Sequence, residues 1–381
     1  MKRAHVLSGI DRIGDYDGIL KGRRVGLMTN PTGIDHDFRS TIDILHQKYG
    51  LSALYAVEHG IRGDVQAGDA VGDTVDPATG VTVYSAFGKN SRFTDEMLDA
   101  FDILVFDIQD VGARFYTYLY SLGYAIEACA RKGKSVLVLD RVDPIGGTRL
   151  EGTVLDLKFS SFVGDYELPT RTGLTIGEFA RYLKGYLKLD LDLTVAPLTG
   201  WERRMYLDDT DLNWVAPSPN CQDLEAALTY IGMCVFEGTN ISEGRGTTLP
   251  FRLAGAPFID SALLAREMAA QNIRGLHFRP VSFCPTFSKH QGVLCHGVQM
   301  HVTDRDHCDT VLGGLKLMET IFRLWPDKAE YLSSDGRFFL DRLLGTDLFR
   351  TGKMDADTLI AHFAPEVRSF EEKSRQYRLY E

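Results

Sequence analysis

Two glutamates in glycine-rich segments are the residues of this 381-residue chain whose chemistry is most informative. Glu58 begins the segment Glu-His-Gly-Ile-Arg-Gly-Asp, and Glu243 lies within Ser-Glu-Gly-Arg-Gly-Thr. Two carboxyl groups from separate segments can divide the work of a proton donor and a base or nucleophile, as glycosidic-bond hydrolysis requires. Glu237 is a third carboxyl candidate, and His59 has a side chain that transfers protons near neutral pH. These four residues form the predicted catalytic set.

A structural alternative applies to each glutamate considered alone. An ion pair with a nearby arginine would account for a glutamate without any catalytic role. A histidine in a glycine-rich turn is likewise often a structural, hydrogen-bonding residue. The arginines concerned are Arg62, Arg114 and Arg245.

The elements that must position these residues alternate between strands and helices. Helical spacing covers residues 40–49 and 118–131. Short apolar runs predict strands at residues 24–30, 51–57, 103–106 and 135–139, with further sheet strands at 191–196 and 228–236. Alternating elements with strands that are apolar on both faces indicate an α/β fold, a parallel sheet with helices on both faces.

The chain is longer than a single hydrophobic core usually accommodates, and the order of its predicted elements changes in the last third. Its pattern predicts, in order, a helix, two strands and a helix at residues 261–271, 276–283, 297–302 and 310–324. This α+β order predicts a catalytic domain at residues 1–255 and a smaller C-terminal domain at residues 256–381.

Polar residues collect where the predicted strands end. Ligands of open parallel sheets bind outside the carboxyl ends of the strands, so this clustering predicts a polar cleft. Any single loop of this kind is also compatible with ordinary turn chemistry. The candidate substrate-binding residues in these loops are Asn30, Arg62, Asp107, Gln109, Asp110, Arg114, Tyr116, Asn240, Arg245 and Thr247.

Composition excludes several classes of function. With 42 basic and 52 acidic residues, the net charge of −10 argues against a nucleic-acid or anionic-membrane surface. No run of 18 apolar residues predicts a membrane span, and the first eleven residues lack the apolar stretch of a signal peptide. Six scattered cysteines are typical of a reducing compartment, so we expect a cytoplasmic protein.

Competing site motifs fail on spacing, so we expect neither a metal nor an organic cofactor. A nicotinamide-binding GxGxxG, a complete P-loop, a nucleophile elbow and HExxH are all missing from the sequence. One cluster of cysteines and histidines suggests metal, but its spacing matches no zinc pattern. It consists of Cys284, His290, Cys295, His296 and His301.

Several long motifs carry a family resemblance that runs from about residue 9 to residue 380. They include residues 27–33, 58–64, 106–118, 139–147, 217–220, 236–247, 285–289 and 297–303. In this order they resemble the NamZ-type exo-β-N-acetylmuramidases, a family long carried as a domain of unknown function. The resemblance implies a Rossmann-like catalytic domain, a smaller C-terminal domain and a cleft near their junction. It also adds Asn220 to the candidate substrate-binding residues and marks Glu58 and Glu243 as the leading catalytic pair.

The activity that the resemblance implies is release of N-acetylmuramic acid from the non-reducing end of peptidoglycan-derived glycans, in cell-wall recycling. One of the arginines at 62, 114 or 245 is expected to grip the lactyl carboxylate of muramic acid. A non-catalytic muropeptide-binding protein and a hydrolase of another sugar ester or phosphate remain alternatives. Neither the oligomeric state nor the stereochemical outcome follows from the sequence.

Overall fold

The architecture was obtained from a computed structural model, which describes residues 3–58, 60–62, 74–86, 92–334 and 336–381. The central feature is a seven-stranded sheet with the strand order β3-β4-β2-β1-β5-β6-β9. All its neighbouring pairs are parallel except β3 with β4, at one edge. Its strands are β1 (Arg24–Thr29), β2 (Gly50–Ala56), β3 (Thr74–Val75), β4 (Thr82–Ser85), β5 (Ile103–Asp107), β6 (Ser135–Leu139) and β9 (Leu193–Ala196).

Helices cover both faces of this sheet because its inner strands are apolar on both sides. In β5, Leu104 and Phe106 belong to one buried cluster, whereas Ile103 and Val105 belong to another on the opposite face. This alternation is the period of two that a strand imposes on its side chains. The helices of this part are α1 (Asp17–Leu20), α2 (Thr41–Lys48), α3 (Asp95–Asp99), α4 (Tyr118–Lys132) and α5 (Ile176–Tyr186).

The C-terminal part is built around a three-stranded antiparallel sheet in the order β10-β12-β11. Its strands are β10 (Leu253–Ala256), β11 (Leu276–Phe283) and β12 (Cys295–Val302), and a small two-stranded ladder joins β13 (Ser333–Ser334) to β14 (Arg337–Phe338). Another two-stranded ladder, earlier in the chain, joins β7 (Glu151–Val154) to β8 (Pro169–Arg171). The helices here are α6 (Leu224–Met233), α7 (Ser261–Ala270), α8 (Thr310–Leu324), α9 (Phe339–Leu344) and α10 (Ala356–Ser374). The predicted fold class, a helix-covered parallel sheet with a smaller α+β part, is confirmed. The division at residue 255 stays a prediction.

One predicted strand is wrong. Residues 228–236 do not extend the sheet but form the end of α6 and a following 3-10 turn, Cys234–Gly238. Every residue from Ala226 to Met233 is buried, so no polar face reveals the helical period in the sequence. Glu237 therefore follows a buried helix rather than a strand.

Candidate active site

A cavity of about 450 Å³ opens beside the carboxyl ends of β2 and β5 and is the candidate active site. Glu58 enters it directly after β2, and residues 115–118 enter it between β5 and α4. The other walls come from the segment before α6, from α6 and the loop after it, from the loop between β11 and β12, from the loop between β7 and β8, and from α9. This candidate cavity is lined by Glu58, Phe115, Tyr116, Thr117, Tyr118, Phe162, Val163, Ser218, Asn220, Cys221, Tyr230, Cys234, Glu237, Glu243, Arg245, Phe251, Ser288, Lys289, Phe339 and Leu343.

Two glutamates and two cations form one connected network in the wall of the cavity. Arg245 donates from Nη2 to Glu237 and from Nε to Glu243 Oε1, the latter over 3.2 Å. Lys289 Nζ donates to Glu243 Oε2 over 2.8 Å. Lys289 also donates to the carbonyls of Phe236 and Ile241, at 2.7 and 2.9 Å, so its position is fixed by three acceptors.

The pKa values of the two glutamates in this network are shifted in opposite directions. Burial raises the pKa of Glu237 above its usual value, and the cation of Arg245 offsets this only in part. Burial acts in the same direction on Glu243, but Lys289 and Arg245 outweigh it and lower the pKa of Glu243. The side chain of Glu237 is 23% exposed, whereas that of Glu243 is only 1% exposed. Glu237 is therefore the more accessible of the two carboxyl groups and the one whose pKa is raised, and Glu243 is a buried carboxylate held between two cations.

The backbone that presents Glu243 needs glycine at two positions. Gly244 and Gly246 both have φ of +82°, in the region that favours glycine. A Cβ atom on Gly246 would lie 2.4 Å from the carbonyl oxygen of Phe287, so the segment carrying Glu243 packs directly against the segment carrying Lys289. The local sequence Ser-Glu-Gly-Arg-Gly-Thr thus brings the ion pair together.

Glu58 supplies a carboxyl group from the parallel-sheet side of the cavity. It is half-buried, and its Oε2 accepts a hydrogen bond of 2.8 Å from the hydroxyl of Thr117, the residue before α4. The structure therefore brings together the three predicted glutamates, Glu58, Glu237 and Glu243, around one cavity. The fourth predicted catalytic residue, His59, lies outside the described residues.

Aromatic side chains form much of the remaining wall. Tyr230 packs edge-on against Phe115 and Phe251, with ring centroids 5.2 and 4.6 Å apart. Phe162 and Phe339 are stacked at 6.2 Å, and Phe162 is 53% exposed. The cavity thus combines carboxyl groups with flat apolar surfaces, which suits a polar ring with apolar faces.

Three of the predicted substrate-binding residues line the candidate cavity, namely Tyr116, Asn220 and Arg245. Thr247 does not line it, and its hydroxyl donates to the Gly244 carbonyl over 2.6 Å and closes the turn. Asn240 faces away and ties its loop to Lys328 and Glu330 through bonds of 2.8 and 2.9 Å. The site therefore draws on the loop after α6 mainly through its glutamates and Arg245.

Four other predicted residues are buried in the sheet region, and two of them, Asn30 and Asp110, each keep one side-chain atom without a hydrogen-bond partner. Asp107 forms a buried ion pair with Arg141, over 2.6 Å, and Gln109 donates to the carbonyls of Asp110 and Val142. Asp110 is buried, and burial raises its pKa to about 8. Asn30 Oδ1 accepts from the backbone and hydroxyl of Thr32. None of these four lines the candidate cavity.

The predicted arginine ligands fall into different environments. Arg114 is fully buried, and its guanidinium donates to the carbonyls of Thr153, Leu168 and Leu343. Arg62 pairs with the buried carboxylate of Asp76 over 2.8 Å. Only Arg245 of the three lines the candidate cavity.

Lys289, Tyr230, Phe162 and Phe339 belong to the site but were not predicted from the sequence. Lys289 closes the motif at residues 285–289 that carries part of the family resemblance, and this is the signal that could have marked it. The two phenylalanines stand outside the motifs that carry the family resemblance, so no motif pointed to them.

Comparisons with known proteins decide the family. The model for the N-terminal domain of the exo-beta-N-acetylmuramidase NamZ matches residues 25–225, and the model for its C-terminal domain matches residues 228–380. The chain belongs to the NamZ family. As a NamZ-family chain it is 46% identical over 385 residues to the peptidoglycan beta-N-acetylmuramidase NamZ of Bacillus subtilis (strain 168), covering 100% of this chain and 92% of that protein.

Solved structures agree with this membership. This NamZ-family chain matches a crystal structure of a DUF1343 family protein from Bacteroides fragilis NCTC 9343 with a TM-score of 0.92, 34% identity and full coverage of both chains. A second DUF1343 family protein from the same organism matches with a TM-score of 0.76, 30% identity and 99% coverage of both. The two-domain arrangement is thus shared over the whole length.

Proposed function

We propose that this chain is a glycoside hydrolase that releases N-acetylmuramic acid from the non-reducing end of peptidoglycan-derived glycans. Membership of the NamZ family and the name of the Bacillus subtilis relative support the reaction and the substrate class. The observation that carries the proposal is the candidate cavity, where three glutamates from two distant chain segments surround a space within the size range of small-ligand sites.

The proposed proton donor is Glu237. Cleavage of a glycosidic bond needs one carboxyl group that is still protonated at the working pH and one that is ionised. The raised pKa of Glu237 and its accessibility fit the donor, which would protonate the leaving oxygen. Glu58, which lines the same cavity and is oriented by the Thr117 hydroxyl, is the proposed base or nucleophile.

Glu243 is proposed as a positioning residue rather than a second acid or base. Its carboxylate is almost completely buried, and each of its oxygens already accepts a bond from a cation. It would hold Arg245 and Lys289 in place and, through its negative charge, help to keep Glu237 protonated. The two cations are the groups best placed to meet the lactyl carboxylate of muramic acid.

The stacked pair of Phe162 and Phe339 is proposed to hold the leaving sugar. An exo-acting enzyme encloses the terminal sugar and leaves the rest of the glycan at the mouth of its pocket. Phe162 lines the cavity but is half exposed, as expected of a residue at the mouth. Its ring offers a flat apolar face on which a sugar ring can stack.

The proposed reaction is tested with the purified protein and a chromogenic β-N-acetylmuramide, with the matching β-N-acetylglucosaminide as control. We expect release from the muramide and little from the glucosaminide. Activity on the glucosaminide alone would contradict the substrate claim. Tight muropeptide binding by calorimetry with no product over hours would instead favour a non-catalytic binding protein.

We further propose that the enzyme works in the cytoplasm on imported wall fragments. All six cysteines are free, as is typical of a reducing compartment. No helix in the described part of the chain combines the length and apolarity that a membrane span needs. Cell fractionation followed by immunoblotting tests this location, and recovery with the culture medium would contradict it.

A further inference from the structure

A second group of potential ligands lies away from the candidate cavity. His5, His36 and Asp211 come from three distant segments of the chain, and one ligand atom from each lies within 4.8 Å of the others. None of the three lines the candidate cavity, and none belongs to the motifs that carry the family resemblance. We call these three residues the His-His-Asp cluster.

Both imidazoles of the cluster approach the same carboxylate oxygen. His5 Nδ1 lies 2.6 Å and His36 Nε2 lies 3.7 Å from Asp211 Oδ2. The two rings are edge-on, with centroids 5.3 Å apart. The cluster therefore offers two nitrogens and one oxygen to a single point in space.

Hydrogen bonds that involve the backbone fix the positions of the segments that carry the cluster residues. Asp211 Oδ1 accepts a 2.9 Å bond from the Val6 amide, which leaves Oδ2 for the imidazoles. The Asp211 amide donates to the Ala4 carbonyl over 2.8 Å, so the segments carrying His5 and Asp211 run side by side. The His36 amide donates to Asp11 Oδ1 over 2.6 Å. The cluster is thus organised by main-chain bonds that do not depend on an ion.

The donor set determines the class of ion. Two imidazoles and one carboxylate suit borderline divalent ions such as Zn²⁺, whereas Ca²⁺ and Mg²⁺ prefer oxygen ligands alone. With metal–ligand bonds of roughly 2.0–2.2 Å, ligand atoms around tetrahedral Zn²⁺ lie about 3.3 Å apart. The two observed nitrogen–oxygen separations, from His5 and from His36 to Asp211, fall on either side of that value. Small shifts of these side chains would therefore admit an ion.

Access to the cluster is open. The side chains of His5, His36 and Asp211 are 69%, 33% and 32% exposed. His36 also lines a second cavity, of about 960 Å³. Water can therefore complete a fourth coordination position, as in zinc sites with three protein ligands.

We propose that the His-His-Asp cluster binds one divalent transition-metal ion of the Zn²⁺ type. The ion joins the N-terminal segment to the loop after β1 and to the segment before α6. Because it lies outside the candidate cavity, it stabilises the fold and takes no part in sugar hydrolysis.

The test is titration of metal-stripped protein with Zn²⁺ by calorimetry, for the wild type, His36→Ala and a control. The control is His307→Ala, since His307 forms a similar exposed pair with Asp304, at 3.0 Å, but has no second imidazole. We expect one Zn²⁺ per chain in the wild type and the control, and affinity at least about tenfold lower in His36→Ala. Equal Zn²⁺ affinity in all three proteins, or no stoichiometric site in the wild type, would overturn the proposal.

Two further readouts separate this site from a non-specific one. Zn²⁺ should raise the melting temperature of the wild type and not that of His36→Ala, because an ion that binds only the folded state stabilises it. Mg²⁺ should have no such effect, and an equal shift with Mg²⁺ would overturn the assignment. Activity of the metal-stripped wild type should be unchanged, and its loss would contradict a purely structural ion.

Discussion

Lys289 and Glu243 form an ion pair of 2.8 Å that joins the C-terminal sheet region to the glycine-rich loop after α6. The pair lies in the wall of the candidate cavity, beside Arg245 and Glu237. Burial, with a smaller contribution from the charge of Glu243, raises the pKa of the neighbouring Glu237, whereas Lys289 and Arg245 lower the pKa of Glu243. We propose that this difference in pKa gives the two glutamates different roles.

Replacing the proposed proton donor should nearly abolish turnover. Glu237→Gln removes the acidic proton but keeps the size and polarity of the side chain, so kcat should fall at least ~100-fold while KM changes little. Steady-state kinetics on the N-acetylmuramyl-N-acetylglucosamine disaccharide measure this. The matched control is Glu202→Gln, because Glu202 forms an exposed ion pair with Arg204 in a different segment of the chain. A Glu237→Gln enzyme with wild-type kcat would remove Glu237 from the mechanism.

The pH profile should respond to the charges around Glu237. Activity needs protonated Glu237, so the rate should decline as pH rises through its pKa. The negative charge of Glu243 raises that pKa, and the positive charge of Lys289 lowers it. Glu243→Gln should therefore move the alkaline limb to lower pH, by roughly one pH unit, and Lys289→Met should move it to higher pH.

Profiles of kcat against pH for both variants check this prediction. Opposite displacements are the required result, because a general loss of structure would not separate the two variants by sign. If the alkaline limb moved in the same direction in both variants, Glu237 would not be the titrating acid.

Phe162 and Phe339, at the mouth of the cavity, should affect the cleavage rate only for substrates whose leaving group is a sugar. Phe162→Ala should lower kcat/KM for the disaccharide by about 3–10-fold, the scale of one lost aromatic contact. The same variant should cleave β-N-acetylmuramyl fluoride at the wild-type rate, since fluoride needs no stacking surface. Phe38→Ala provides the control, because Phe38 is an exposed phenylalanine that does not line the candidate cavity. Equal losses on both substrates would contradict the assignment.

Replacing Arg114 distinguishes a structural role of this residue from a substrate-binding role. Arg114→Met leaves the carbonyls of Thr153, Leu168 and Leu343 without their donor, which should cost at least about 2 kcal/mol of unfolding free energy. Urea unfolding measures this, with the exposed Arg204→Met as control. Unchanged stability together with a raised KM would restore the sequence-based prediction that Arg114 binds substrate.

The parallel sheet was predictable because its strands are short apolar runs separated by helices with clear periods. The residues of β5 alternate between two buried clusters, and its following loop carries the polar residues that a strand end should carry. The helix α6 was not predictable from the same evidence. It is buried on all sides, so its apolar run has no period that distinguishes a helix from a buried strand.

Site residues were predictable where sequence motifs follow strand ends. They were less predictable where tertiary packing determines whether a side chain faces the cavity. Glu58 and Glu243 were found as carboxyl groups in glycine-rich segments, and both line the cavity. Arg114 follows β5 as a ligand would, yet its side chain turns into the interior and meets carbonyls. Lys289 reaches Glu243 only because Gly246 permits close packing of two distant loops, which no local pattern encodes.

The central claim is that Glu58 and Glu237 face each other across one bound muramyl ring. The most direct measurement is a crystal structure of the Glu237→Gln variant with the intact disaccharide. We predict that the amide at position 237 lies within about 2.6–3.2 Å of the glycosidic oxygen, with the Glu58 carboxylate facing the anomeric carbon. A disaccharide bound elsewhere, or one whose glycosidic oxygen is out of reach of both residues, would contradict the account.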